Sequence, residues 1–284
     1  MENSDIDIVP SGGGVGAFIE GIDLGQDLSD NLIGTLRSTL GEHGVLFFRD
    51  QDISPEDHIA FAEKFAPINI NRFFAHVDGH PKIAQVLKEP NQQKNIGGGW
   101  HTDHTYDIEP AMGSILVARE TPTHGGDTMY ASTCRAYETL SDGFKVMLNG
   151  LKGVHSSRHV FGPQARYVEK GDDTAGRLGN NEAATQDAVH PLVIRHPISG
   201  HESIYVNPGF TIGIDGWTDA EAQPFLKILY DHIAKPEHTY RFQWMPGSIA
   251  FWDNRASWHY AVNDYHGARR LMHRVTVEGE ALAA

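Results

Sequence analysis

"IAFWDNRASWHYAVNDYHGARRLMHRVTVEG", residues 249–279, decides how this chain is read. Two short apolar runs, "IAFWD" and "RRLMHRVTV", are divided by Asn, Asp and Gly, which is the punctuation of strands. In the second run, period-two alternation puts Arg270, Met272, Arg274 and Thr276 on one face and Arg269, Leu271, His273 and Val275 on the other. Two arginines therefore point the same way, ~13 Å apart along the strand. Each can clamp a different anion, because a guanidinium meets a carboxylate or sulfonate in a bidentate fork that lysine cannot reproduce. An arginine taken singly is more often a surface ion-pair partner. The histidine just upstream, His259, gives the pair a second meaning.

Similar runs recur through the chain. "GVLFFRDQ" (44–51) reads as a buried strand, and "MGSILVA" (112–118), "HPLVIRHP" (190–197) and "ESIYVNP" (202–208) as further short ones. Helices are fewer. Leu32, Leu36 and Leu40 repeat at helical spacing before a stop at Gly44, and Ser54 followed by Pro55 starts a second helix whose face is Ile59, Ala62 and Phe65. Thr218 and Glu221 stand at capping-box spacing, with Pro236 closing the third helix after Lys235. The expected fold class is mainly β with packing helices, arranged as a jelly-roll barrel. No repeat or linker divides residues 1–284, so a single domain is expected. Residues 163–188 are polar and glycine-rich, and a segment of that length is expected to be a lid over a site, with a plain surface insertion as the alternative.

Composition removes several function classes. With 23 basic and 37 acidic residues among 284 the formal charge is −14, which disfavours nucleic acid and anionic membrane as partners, so an anionic ligand has to be held by local arginines. Cys134 is the one cysteine, which excludes an intramolecular disulfide and a thiolate zinc cluster. The opening "MENSDIDIVPSGGG" has no apolar signal region and no apolar run reaches the ~20 residues of a membrane span. A cytoplasmic protein is expected.

"GGGWHTDHTY" (97–106) supplies what His259 needs. On extended backbone, residues i and i+2 point the same way, so His101 and Asp103 offer a nitrogen and an oxygen to one point. Among 17 histidines such a pair also arises by accident. Two histidines and a carboxylate with vacant positions make the facial triad of non-haem Fe(II) oxygenases, yet zinc hydrolases use the same donor types, so composition does not name the metal. Three classes stand: an oxygenase, a zinc-dependent hydrolase on a cupin-like barrel, and a non-catalytic cupin-like binding module. The hydrolase leaves Arg270 and Arg274 without a task, and the binding module leaves the triad superfluous.

From "GAFIEGIDLGQDLSDN" and "GVLFFRDQDIS" through "WHTDHTY", "PTHGGDTMY" and "HPISGHESIYVNPGFT" to "WDNRASWHYAVNDYHGARRLMHRVTV", the chain resembles the taurine dioxygenase and aryloxyalkanoate dioxygenase family over almost its whole length. The resemblance implies a double-stranded β-helix, cupin-like core and a dioxygenase using Fe(II), 2-oxoglutarate and O2. It implies His101, Asp103 and His259 as metal ligands and catalytic centre. Arg270 would hold the distal carboxylate of 2-oxoglutarate with Thr128 as its hydroxyl partner, and Arg274 the acidic group of the substrate. Phe161 and Phe210 would lie near the substrate pocket and Trp252 near the metal. From the residues alone, Thr128 is an ordinary turn residue and the aromatics are core. His155, His190, His196 and His273 receive no chemistry.

The same resemblance implies decarboxylation of 2-oxoglutarate to succinate and CO2 coupled to hydroxylation of a small organic acid. Taurine enzymes carry a histidine and a tyrosine where "PININRFFAH" (67–76) supplies Asn71 and Phe74, and an asparagine where Gly97, Gly98 and Gly99 stand. These departures remove groups that would meet an amine. They point to a more apolar acid, an alkanesulfonate, sulfate ester or aryloxyalkanoate, in a pocket lined by Phe73 and Phe74. A homo-oligomer is the expected assembly.

Overall fold

The alternation along Arg270–Val277 is the axis of the fold. In the computed structural model, which describes residues 6–163, 165, 173–174 and 176–283, this strand lies antiparallel between Gly113–Glu120 and His80–Lys88. It belongs to a nine-stranded sheet in which Asp7–Pro10, Ala17–Glu20, Val45–Phe48, Ile249–Asp253, Gly113–Glu120, Arg270–Val277, His80–Lys88 and His76–Val77 follow one another, with Ile68–Asn69 pairing on Arg270–Val277. Smaller sheets complete the β structure: Thr128–Ser132 between Thr239–Phe242 and Ser257–Ala261, Lys152–Ser156 between Asp187–Pro191 and Thr211–Ile214, and the pair Val193–Arg195 with Glu202–Ile204.

Because successive side chains of a strand leave by opposite faces, the large sheet builds two cores. On one face Val275, Val277, Ile115, Val117, Ile249, Phe251, Leu46 and Phe48 pack under the helices Asp30–His43 and Pro55–Glu63. On the other, Met272, Leu116, Ala118, Ala250, Trp252, Val45 and Phe47 meet Tyr130 and Phe242 of the sheet around Thr128–Ser132. Arg270 and Arg274 belong to this second face and are buried there, between two sheets rather than in solvent.

The helix signals are realised with adjustments. Helix Asp30–His43 is capped by Ser29 and ends on Gly44, whose φ of 73° is the left-handed conformation a C-terminal stop requires. Ser54 and Asp57 form a full capping box, and Thr218 with Glu221 another. The second helix buries His58, Phe61 and Ala62, whereas Ile59 is only half-buried and Phe65 packs from beyond the helix end. The expected single strand over 190–197 is two: Pro191, which has no N–H to donate, ends the pairing with Lys152–Ser156, and Val193–Arg195 turns to another partner.

Of the expected lid, residues 164, 166–172 and 175 lie outside the described residues. The described remainder has defined partners. Arg177 donates to the Leu87 and Lys94 carbonyls, Leu178 bridges to Phe74, and Asp187 already belongs to a strand. No helix among the described residues is long and apolar enough to cross a membrane.

Candidate active site

His101 and His259 are made neighbours by the backbone. The N–H of His101 donates to the His259 carbonyl at 3.1 Å and the N–H of His259 returns the bond at 2.9 Å, an isolated antiparallel bridge that sets the rings 4.0 Å apart. Thr102 fastens the same stretch from the other side by donating its hydroxyl to the Ser257 carbonyl. The His-x-Asp pair thus sits on one bridge rather than in a regular strand, and the chain turns immediately after it at His104, φ 60°. Asp103 nevertheless shares the direction of His101. Its two carboxylate oxygens lie 3.8 Å from His101 Nε2 and 3.7 Å from His259 Nε2, and one donor atom from each of the three residues falls within 4.8 Å of the others.

Each donor is held in a form that suits a metal. His101 Nδ1 donates to the Gly99 carbonyl at 2.7 Å, which turns Nε2 toward Asp103. Burial pushes the Asp103 carboxyl up, but the groups beside it, the Arg274 guanidinium foremost, outweigh it and hold the group well below the usual carboxylate range, so it is ionised. Burial holds His259 far below the ordinary histidine range, hence neutral. Gly209 makes room for this arrangement: a Cβ there would stand 2.7 Å from His101 Cβ.

A cavity of about 410 Å³ opens in front of the three donors, and it collects most of the residues singled out from the sequence. Phe74, Phe161, Phe210, Trp252, Thr128, Arg270 and Arg274 all line it. Arg270 donates Nε to the Gly126 carbonyl at 3.1 Å and lies 5.7 Å from the Trp244 ring centre, while one of its terminal nitrogens is buried without a partner. Trp244 also donates its indole N–H to Thr128 Oγ1 at 2.9 Å, so one tryptophan positions both residues. The Gly125-Gly126 turn that brings them together runs at positive φ. Arg274 donates to Asp103 at 3.2 Å and stacks on Phe74 at 4.5 Å, leaving its Nε unpaired.

Two expectations are corrected. Asn71 does not line the cavity: its side-chain oxygen is spent on the backbone N–H groups of Phe73 and Phe74 at 2.9 and 3.0 Å, an Asx turn that aims the following phenylalanines. Phe73 lies behind the wall, stacked on Phe161 at 4.3 Å, and Phe74 alone of the pair faces the cavity. Asn95, Ile96, Trp100, Tyr130, Val160, Thr174, Leu178 and Pro208 line it without having been singled out. Of these, Tyr130 carries a legible signal, because it stands two residues after Thr128 on one strand face. Asn95 commits its amide to the Ala261 carbonyl at 2.7 Å. His155, His190, His196 and His273 lie outside the lining.

Residues 7–276 match the family model described as "Taurine catabolism dioxygenase TauD, TfdA family". An alkylsulfatase of Acinetobacter baylyi is 34% identical over 271 residues, covering 94% of this chain and 83% of that protein. An alpha-ketoglutarate-dependent sulfate ester dioxygenase of Pseudomonas putida is 32% identical over 281 residues, covering 97% and 90%. Among solved structures, a putative alpha-ketoglutarate-dependent taurine dioxygenase from Burkholderia xenovorans superposes with a TM-score of 0.82 at 33% identity, over 99% of this chain and 95% of that one. With its metal-donor cluster facing paired arginines between two sheets, and a match over nearly its whole length, the chain belongs to the TauD/TfdA dioxygenase family.

Proposed function

We propose that this protein is an Fe(II)- and 2-oxoglutarate-dependent dioxygenase that hydroxylates a small organic acid bearing an apolar body: a sulfate ester, an alkanesulfonate or an aryloxyalkanoate. The observation that carries the reading is the donor cluster of His101, Asp103 and His259 facing a buried Arg270 with an unmet N–H. His101, Asp103 and His259 would hold the iron, as two neutral imidazoles and an ionised carboxylate with positions left for other ligands. When bound, iron, 2-oxoglutarate and O2 supply the oxidising chemistry, releasing succinate and CO2 and delivering one oxygen atom to a substrate carbon.

The chain supplies the rest. Arg270 and Thr128 bind the distal carboxylate of the keto acid, far enough from solvent for one charge to meet the other at full strength. Arg274 has donors to spare beyond its single bond to Asp103, and these take the acidic group of the substrate. Phe74, Phe161, Phe210 and Trp252 hold the apolar body and exclude water. Asp103 is the one carboxylate among the described residues of the lining, so an amine would find no anionic partner of its own among them, which favours sulfate esters and related acids over taurine. The sheets are read as a double-stranded β-helix, or jelly roll, and the described residues as one domain. Thr174 and Leu178, described residues of the 163–188 stretch, stand on the cavity wall and are read as part of its cover.

A zinc hydrolase is set aside, since it gives Arg270 nothing to bind. Anaerobic addition of Fe(II) and 2-oxoglutarate should develop the visible charge-transfer band of the chelate, and a panel of organic acids scored by succinate formation should rank a sulfate ester or aryloxyalkanoate above taurine. No band, together with hydrolysis dependent on zinc, would sink the reading.

A further inference from the structure

Tyr130 is completely buried, lines the cavity, and has a hydroxyl with no hydrogen-bond partner. It lies on Thr128–Ser132, two residues from Thr128 and so on the same face, and in register directly opposite His259. Its ring stands 6.5 Å from that of His259 and 6.1 Å from that of Trp252. It therefore sits between the residue that would bind the keto acid and one that would bind the metal.

A phenylalanine would fill this volume equally well and keep the edge contact with Phe47 at 5.5 Å. The hydroxyl adds nothing to packing, and stranding it in the interior is costly. The opposite sheet strands a second donor in the same cavity wall, the terminal nitrogen of Arg270. Thr128 makes a third, because its oxygen already accepts from Trp244 and its own proton is left to give. Burial raises the Tyr130 phenol well above its ordinary range against an opposing pull from Arg270, so the group stays a protonated donor. All three residues line the same cavity, and a ligand that only accepts complements three such donors. A carboxylate is such a ligand, and an amine or metal cation is not.

We propose that the Tyr130 hydroxyl is a further binding group for the keto-acid co-substrate, donating a hydrogen bond to a carboxylate oxygen held beside Arg270 and Thr128. The assignment rests on the dioxygenase reading. The test is Tyr130→Phe in the full chain, read in two ways: anaerobic titration of the Fe(II)-loaded protein with 2-oxoglutarate, followed by the chelate band, and thermal unfolding of the ligand-free protein. A charged acceptor losing one neutral donor should raise the Kd for 2-oxoglutarate about tenfold or more. The Tm without ligand should hold or rise, since the lost hydroxyl was unsatisfied. An unchanged Kd, or a variant that loses stability or fails to fold without ligand, would overturn the assignment and show that the hydroxyl serves the fold. The wild type separates the two levels of inference: if it gives no band, the dioxygenase reading falls and takes this one with it, whereas a normal wild-type band with an unshifted variant removes Tyr130 alone.

Discussion

Two buried aspartate–arginine pairs of this protein have opposite characters. Arg255 grips Asp253 with two bonds, Nε to one oxygen at 2.9 Å and a terminal nitrogen to the other at 2.7 Å. The Arg255 backbone N–H and His196 Nε2 donate to the same carboxylate at 2.8 and 3.0 Å. Even His196 is complete, since its other nitrogen accepts from the N–H groups of Ile198 and Ser199. Asp103 and Arg274 share a single contact of 3.2 Å, and Arg274 keeps a buried N–H without a partner. Arg270, on the same strand face, has no hydrogen-bonded carboxylate among the described residues. A closed network fixes structure, because every buried charge is compensated within the chain. An open one is stable only at a cost, and that cost is what a ligand relieves on binding.

The sharpest way to break this contrast is to remove each aspartate. Asp253→Ala strands Arg255 and should cost about 3–5 kcal/mol of stability, the usual penalty for breaking a buried pair. Asp103→Ala should instead abolish turnover and Fe(II) binding while losing less stability, because Arg274 borders a cavity and was incompletely paired from the start. His101→Ala and His259→Ala should resemble Asp103→Ala in activity. Urea unfolding alongside succinate formation checks both halves. Equal stability losses for the two aspartates would erase the distinction between closed and open networks, and near-normal activity in any of the three site variants would remove that residue from the metal.

Within the open network, the two arginines should part company. Arg270→Leu should weaken 2-oxoglutarate binding by about 2–5 kcal/mol, roughly 30-fold to a few thousandfold in Kd. Arg274→Leu should leave the chelate band in place and weaken the organic acid, seen as loss of the substrate-induced change in that band. Slow decarboxylation uncoupled from substrate oxidation should persist. Should Arg274→Leu lose the keto acid and Arg270→Leu keep it, the roles are reversed.

The contrast also explains what the sequence reveals and what it hides. Arg270, Arg274, His101, Asp103 and His259 are legible because alternation along a strand, or across an i, i+2 pair, is a local property. Phe74, Phe161 and Phe210 line the cavity, and only the family resemblance singles them out, since a buried aromatic looks the same in a core and in a pocket wall. Asn71 is misplaced because its competitor for the side-chain oxygen is its own downstream backbone. Trp244 escapes notice for the converse reason, and Tyr130 shows in the sequence only its spacing from Thr128: the surroundings of both depend on a sheet that joins Thr239–Phe242, Thr128–Ser132 and Ser257–Ala261 across long stretches of chain. The helix starts at Ser29, Ser54 and Thr218 are local and legible, whereas the break at Pro191 depends on which strand each half can pair with.

The smallest expected effect concerns acid. Asp253 is held below the ordinary carboxylate range despite its burial, by Arg255 and His196, so its contribution is complete above the unfolded carboxyl value of ~3.9 and fades only as pH falls further. Any loss at milder pH must come from elsewhere, and buried histidines are its source, His58 and His155 beside His259 and the half-buried His273. Burial lowers the first two to about 3, helped by Arg119 for His58 and by His190 for His155. Between ~6.5 and that value the unfolded chain takes up protons that the folded chain refuses, so stability is full above ~6.5 and declines as pH drops. At pH 5 each buried histidine should cost up to about 2 kcal/mol. His58→Gln retains a donor for the Ile115 carbonyl, which His58 Nε2 contacts at 3.1 Å, and removes the titration. Urea midpoints of the ligand-free wild type and variant, compared at pH 7.5, 6, 5 and 3.5, should converge between pH 7.5 and 5, because only the wild type pays for His58. Parallel lines would mean that His58 is not a buried neutral group, and a loss in both proteins confined to below pH 4 would return acid sensitivity to Asp253 and the closed network.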